Sequence, residues 1–405
     1  MPFVADRLKA IKASPTLAVS AKAAKLKSEG KDVISMGAGE PDFDTPQHIK
    51  DAAVEALKKG LTKYTAAGGT PTLKRAIIAK FKRDNGLDYT EKQILVSAGG
   101  KQTSFNLCLA LLNPGDEAIV PAPYWVSYPD MAQMANAKPV FVSAGIEQGF
   151  KITAQQLERA ITPKTRLMWI NSPSNPTGAT YTAAELEALG EVLRKHPNIV
   201  IASDDMYEHI LLDGSKFVNI LNVCPDLYDR TVTMNGGSKA YSMTGWRIGY
   251  CGGPQELIEA MENVQSHSTS NPTSISQYAA EAALNGDQSS IEMMVKAFKE
   301  RGKFVAEGLN RIPGIKCLQP TGAFYAFPDC REAIQKLHQA GKLATPTDVA
   351  FCDYLMMQPQ GVAAVPGSAF GAEGYLRISF ATSMENIKKA VDRMAAAVEQ
   401  ARIAA

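Results

Sequence analysis

The feature that most constrains how this chain can fold is a repeated alternation of short apolar runs with helical patterns. Residues 94–97, 117–120, 167–170, 199–202, 231–234 and 248–251 read as strands. Residues 47–59 read as an amphipathic helix, and Thr70 with Pro71 opens another that runs to about Asp84, as cap and first-turn proline. A third helical run covers 102–112, and a capping box of Thr182 with Glu185 opens a fourth. Apolar strands separated by helices imply βαβ units around a mostly parallel sheet with both faces covered. From 254 to 311 the pattern is mostly helical, broken near Asn271-Pro272 and Asn285-Gly286. The last quarter differs. Strand-like runs at 323–327, 361–365 and 375–380 lie between helices, and Thr382 with Glu385 is expected to cap the final helix. That shift implies a smaller C-terminal α+β domain.

Composition removes several functional classes. The 405 residues hold 43 Lys+Arg against 41 Asp+Glu, so the clustered positive excess of a nucleic-acid footprint is missing. Six scattered cysteines (108, 224, 251, 317, 330 and 352) form no CxxC pair, which favours reduced thiols in a cytoplasmic protein over a disulfide framework or a zinc site. The start, MPFVADRLKAIK, has no apolar signal core, and no run approaches the roughly 18 apolar residues of a membrane span.

Five loop-like stretches follow predicted strands: SAGGKQ (97–102), PAPYWVSYP (121–129), NSPSNPTG (171–178), SDDMYEH (203–209) and GSKAYSMTGWR (237–247). In open α/β sheets ligands collect at the carboxyl ends of strands, so all five point to one rim. In SAGGKQ, two glycines between strand and helix present backbone N–H groups to an anion, although a tight turn explains them equally well. A Walker loop would need glycine where Leu95 stands, and no dinucleotide GxGxxG follows a strand. SDDMYEH offers Asp204, Asp205, Glu208 and His209, but adjacent strand-end residues face opposite ways, so a single buried Asp is simpler than a metal site. No nucleophile elbow is present: GSAFG at 367–371 has the wrong spacing. What remains is Lys239 in small, uncharged company, Arg247 eight residues on, a phosphate cradle, a lone carboxylate, and Tyr124 or Trp125. A Schiff-base lysine and an Asp for a pyridinium nitrogen are what pyridoxal phosphate requires.

The ordered motifs resemble those of class I pyridoxal-phosphate aminotransferases of fold type I, in the bacterial aspartate aminotransferase subgroup. AGEPDFDTP (38–46), KYTAAGG (63–69), PYWVSYP, NSPSNPTG, SKAYSMTGWRIGY, GAFYAF (322–327) and YLRISFATS (375–383) stand in family order over nearly the whole length. The resemblance implies that Lys239 anchors pyridoxal 5'-phosphate and shuttles the proton. Arg247, with backbone of Gly99, Gly100 and Lys101, clamps the phosphate, and Tyr64 reaches it from the neighbouring subunit of a homodimer with shared active sites. Asp204 serves the pyridine nitrogen; Tyr207 and Asn175 donate to the ring's phenolic oxygen; Trp125 stacks on the ring. Arg377, helped by Gly39, takes the substrate α-carboxylate. Two departures stand out. Gly236 occupies a position where some relatives carry a phosphate-binding serine, with Ser238 nearby, and the stretch 266–274 lacks an arginine for the distal carboxylate. Lys101 with Thr16 is therefore expected to read that carboxylate.

The resemblance implies a large domain (46–295) with a mostly parallel seven-stranded sheet, and a small α+β domain (296–405) joined by an N-terminal arm (1–45). The expected activity is reversible transamination, aspartate plus 2-oxoglutarate to oxaloacetate plus glutamate, with prephenate to arogenate as a second activity. Two rivals are a lyase on the same fold and a ligand-sensing regulator. The regulator needs an N-terminal DNA-binding domain, for which the motifs beginning by residue 38 leave no room. No metal is expected.

Overall fold

The computed structural model describes residues 3–11 and 13–403; residues 1, 2 and 12 of the expected arm and 404–405 lie outside it. Strands are numbered along the chain: β1 (Asp32–Ser35), β2 (Ile94–Ser97), β3 (Glu117–Ala122), β4 (Lys138–Ser143), β5 (Thr165–Asn171), β6 (Val200–Asp204), β7 (Thr231–Gly236), β8 (Gly249–Gly252), β9 (Tyr325–Ala326), β10 (Gln360–Ala363), β11 (Val365–Pro366) and β12 (Leu376–Ser379). Seven of them form the main sheet, in the order β2-β8-β7-β6-β5-β3-β4. Only β8 runs against its neighbours, β2 and β7. Every residue of β2, β7 and β8 is buried, so these strands are covered on both faces.

Topology then places the loops. β5, β6 and β7 are parallel neighbours, with Asn171 opposite Asp204 and Asp204 opposite Met234. Their carboxyl ends therefore open on one edge, which carries the loops of Asn175, Tyr207 and Lys239. Gly249, the first residue of β8, pairs with both Ser97 and Gly236. Arg247 thus arrives at the same edge from the opposite direction, beside the glycine loop that follows β2.

A second core lies around two smaller sheets. β1 pairs with β10, and β12 lies between β11 and β9. The N-terminal segment is thereby stitched to the C-terminal quarter, and Arg377 on β12 sits opposite Val365. Phe298, Phe324, Phe351 and Phe380, all 0 % exposed, fill this core.

The first four α-helices are α1 (Pro15–Ser28), α2 (Gln47–Lys58), α3 (Pro71–Lys80) and α4 (Gly100–Leu111). Thr70 caps α3 through the Leu73 N–H, with Pro71 in the first turn. The pattern expected to run as one helix to Asp84 instead changes at Phe81 into a π turn, Phe81–Asn85, closed by Gly86 at φ 65°. The Thr182–Glu185 capping box is present and opens the helix Ala183–Arg194. The final helix, Met384–Ile403, is capped one residue later than expected: Ser383 Oγ, not Thr382, accepts from the backbone, at the Asn386 N–H. Among the described residues no helix is long and apolar enough to cross a membrane.

Candidate active site

A cavity of about 550 Å³ opens at the carboxyl edge of the main sheet. Eleven of the residues expected from sequence line it: Thr16, Gly39, Gly100, Lys101, Trp125, Asn175, Asp204, Tyr207, Lys239, Arg247 and Arg377.

At its centre Lys239 Nζ donates to the Gly39 carbonyl at 2.5 Å. The ammonium lies 5.9 Å from the ring centroids of both Tyr207 and Phe324. Burial pushes the amine down to about 8, and the Arg377 charge pushes the same way. A lysine so placed gives up its proton far more readily than one in water, as a nucleophile or proton carrier near neutral pH must.

Asp204 ends β6 and turns into the cavity. Its Oδ2 accepts from the Tyr128 hydroxyl at 2.6 Å, and Oδ1 from the Met206 N–H at 3.3 Å. Burial pushes this carboxyl up, while both donors and the Lys239 charge oppose it. Asp205 points the other way, as the strand alternation dictates. It accepts from Ser203 Oγ at 2.7 Å and from Asn219 Nδ2 at 2.5 Å. Burial, and then the Glu208 charge, push it to about 8, so it is mostly protonated at neutral pH.

Arg247 stands at φ 55°, a left-handed conformation that costs a non-glycine residue on the order of 1 kcal/mol. Its guanidinium donates to the Thr244 and Ala98 carbonyls and packs over Gly99. A Cβ at Gly99 would lie 2.2 Å from Arg247 Nη2, so only glycine lets the fork reach this loop. Among the described residues no side chain caps α4, which begins here, so the N–H groups of Gly100 and Lys101 are left for an anion. The glycine at 236 has a steric cause: a Cβ there would lie 2.8 Å from the Ile248 carbonyl oxygen. Ser238, by contrast, lines the cavity.

Arg377 is 2 % exposed. It donates to Asn175 Oδ1 at 3.0 Å and to the Gly37 carbonyl at 2.8 Å, and it lies 4.7 Å over the Tyr325 ring and 5.0 Å over Phe370. Its Nε has no partner among the described residues. A buried guanidinium with an unused donor, lining a cavity, is built to take an anion. Lys101 Nζ lies 5.2 Å over Trp125, and burial, then the Arg247 charge, hold its amine below the usual lysine range. Thr16, on α1, has a buried hydroxyl without a partner among the described residues. Tyr64 does not line the cavity: it is 91 % exposed. Sequence reasoning passed over Tyr128, which holds Asp204, and Tyr325, which shares a 2.9 Å hydrogen bond with Tyr207. Both stand inside motifs already singled out, PYWVSYP and GAFYAF.

Residues 31–394 match the family model for aminotransferase class I and II. The chain belongs to this family. An aspartate/prephenate aminotransferase of Nitrosomonas europaea is 63 % identical over 97 % of this chain and 98 % of that protein. One from Cereibacter sphaeroides is 54 % identical over 98 % of both. The crystal structure of the aspartate aminotransferase from Rhizobium meliloti superposes with a TM-score of 0.93 at 50 % identity, covering 98 % of this chain and 99 % of that one. The Thermus thermophilus aspartate aminotransferase with maleate gives 0.91 at 43 % identity, over 98 % of this chain and 100 % of that one. Aminotransferases of this family use pyridoxal phosphate. The cavity suits that group: the loop of Gly99 leaves no room for a Cβ beside Arg247, and Asp204 and Lys239 share the same space.

Proposed function

We propose that this aminotransferase acts on dicarboxylic amino acids, exchanging aspartate and 2-oxoglutarate for oxaloacetate and glutamate. Prephenate, aminated to arogenate, is a second acceptor. One observation carries the reading: Arg377, buried and with an unpartnered Nε, lines the same cavity as Lys239 and a second cation, Lys101. The names of the relatives from Nitrosomonas and Cereibacter, and the dicarboxylate maleate in the Thermus enzyme, support it.

When bound, pyridoxal phosphate supplies an electron sink for cleavage of the substrate Cα–H bond. Lys239 would hold its aldehyde carbon, and Arg247 with the N–H groups at the start of α4 would hold its phosphate. Asp204, fixed by Tyr128, would keep the pyridine nitrogen protonated. Tyr207 and Asn175 would face the phenolic oxygen, and Trp125 a ring face. Arg377 would take the α-carboxylate with its free donor, beside the Gly39 backbone, and Lys101 with Thr16 the distal one. Lys239, its acidity raised by burial, would carry the proton to and from the substrate Cα. Tyr64, exposed here, would reach the phosphate site of a second copy, so that two chains complete each site.

A panel of amino donors and 2-oxo acceptors, read by the cofactor's absorbance, tests this. Aspartate and glutamate should lead as donors, and prephenate should be aminated. Alanine or phenylalanine ahead of aspartate would overturn the substrate reading. Release of ammonia and pyruvate from a cysteine-type donor, without transamination, would favour the lyase.

A further inference from the structure

Behind the cavity lies an ion pair that the proposed chemistry does not use. Lys80, the last residue of α3, is 1 % exposed, and Glu208 is 4 % exposed. Lys80 Nζ donates to Glu208 Oε1 and, at 2.8 Å, to Asn85 Oδ1. The same carboxylate accepts from Asn235 Nδ2 at 2.8 Å through Oε1 and from Asn85 Nδ2 at 2.6 Å through Oε2. His209 Nε2 lies 3.2 Å from Oε1, and Asp84 Oδ2 lies 3.9 Å from the lysine. Burial works against ionisation of Glu208, but Lys80, His209 and Asn85 together hold its carboxyl well below the usual range.

Position gives this cluster a meaning. Glu208 directly follows Tyr207 and lies four residues after Asp204, while Asn235 lies on β7 four residues before Lys239. Asn235 Oδ1 also accepts from the Gly236 N–H at 2.8 Å, and the Asp205 N–H donates to the Met234 carbonyl at 2.9 Å. One carboxylate therefore ties the loop after β6, the end of β7 and the π turn after α3 into one unit. Aligning reactive groups in this way matters greatly, because a misplacement of 1 Å far from the chemistry can cost about 100-fold.

We propose that Glu208, locked by Lys80, Asn85 and Asn235, is a positioning residue that fixes Asp204 and Tyr207 relative to Lys239. The inference rests on the roles proposed above for those three residues. A buried ion pair is a weak source of stability, and well-packed apolar residues of similar volume often replace one without loss of folding. Preserved folding with lost alignment is thus the signature that separates a positioning role from a structural one.

The test compares wild type, Lys80→Met/Glu208→Leu, Asn235→Ala and Asp204→Asn. It measures melting temperature, the dissociation constant for pyridoxal phosphate by absorbance titration, and steady-state kinetics with aspartate. The double variant should still fold, melting below wild type because Asn85 and Asn235 lose their carboxylate partner. Its kcat should fall about 100-fold with KM changed less than threefold, and its cofactor affinity should weaken about tenfold. Asn235→Ala, which leaves the ion pair intact, should shift in the same direction by less. Wild-type kcat and cofactor affinity in a folded double variant would overturn the proposal. If the double variant does not fold, wild-type kinetics in Asn235→Ala would overturn it. Near-normal turnover in Asp204→Asn would instead remove the reading of the site on which the proposal rests.

Discussion

Asp204 and Asp205 are adjacent, both surrounded by hydrogen-bond donors, and expected to behave in opposite ways. Replacing Asp204 with Asn preserves volume and can keep an acceptor 2.6 Å from the Tyr128 hydroxyl, but removes the charge. An opposite charge within about 4–6 Å moves a pKa by about 1–3 units, each worth about 1.4 kcal/mol. Loss of that charge beside the pyridine nitrogen should therefore cost roughly 1.4–4 kcal/mol, or about 10- to 1000-fold in the rate of Cα deprotonation. Asp205, held near 8 by burial and Glu208, is already mostly neutral at pH 7. Asp205→Asn changes no charge there, and turnover should stay within about threefold. The two differ in stability as well. The folded-state pKa of Asp205 lies above its unfolded value, so the folded protein binds more protons between them, and this residue makes wild-type stability fall as pH rises from about 4 to about 8. Asp205→Asn should flatten that slope. The assays are the single-turnover reaction with aspartate and melting curves from pH 5 to 9. Greater loss of rate in Asp205→Asn than in Asp204→Asn would refute the reasoning.

Three further outcomes are expected. Lys101→Ala, corrected for any loss of cofactor, should lower kcat/KM for aspartate and prephenate at least about tenfold more than for alanine or phenylalanine, the value of one charge-assisted contact; equal losses would leave Lys101 a phosphate ligand only. Cofactor-free protein should capture pyridoxal phosphate faster as pH rises through about 8, where Lys239 becomes neutral, and Arg377→Met should move that midpoint upward by removing a neighbouring cation; stopped-flow absorbance checks both. If Tyr64 acts across a dimer interface, a mixture of Tyr64→Ala and Lys239→Ala chains, dissociated and reassociated, should show more activity than the two separately, because one mixed site regains both residues; no gain would place Tyr64 in its own chain's site or none.

Much of the fold and rim was legible because it rests on local signals. Apolar runs marked the five inner strands of the main sheet and the fully buried edge strand β2, since burial on both faces favours apolar residues there. β4 was missed because it is an edge strand: KPVFVS exposes most of its length and alternates weakly. β1 was missed for a different reason. Its partner is β10, more than 300 residues away, and a four-residue run carries little pattern of its own. Lys239 and Arg247 stood out because they sit in a small, otherwise uncharged stretch, whereas Arg377, Asn175, Tyr207, Gly39 and Thr16 followed from the resemblance carried by the ordered motifs. Tyr128 and Tyr325 read equally well as core aromatics, and only the fold brings one hydroxyl to Asp204 and the other to Tyr207. Lys80 falls inside a helical pattern with no local signal that marks it. Its burial depends on the π turn that follows it and on a carboxylate 128 residues away.

The central claim is that Lys239 holds the cofactor. Borohydride reduction of the holoenzyme fixes pyridoxal phosphate to its lysine, and peptide mass spectrometry then locates it. The label should appear on the peptide containing Lys239, at close to one per chain, and should be absent from Lys239→Ala. A label on Lys101 or on any other lysine of the wild-type chain would contradict the account.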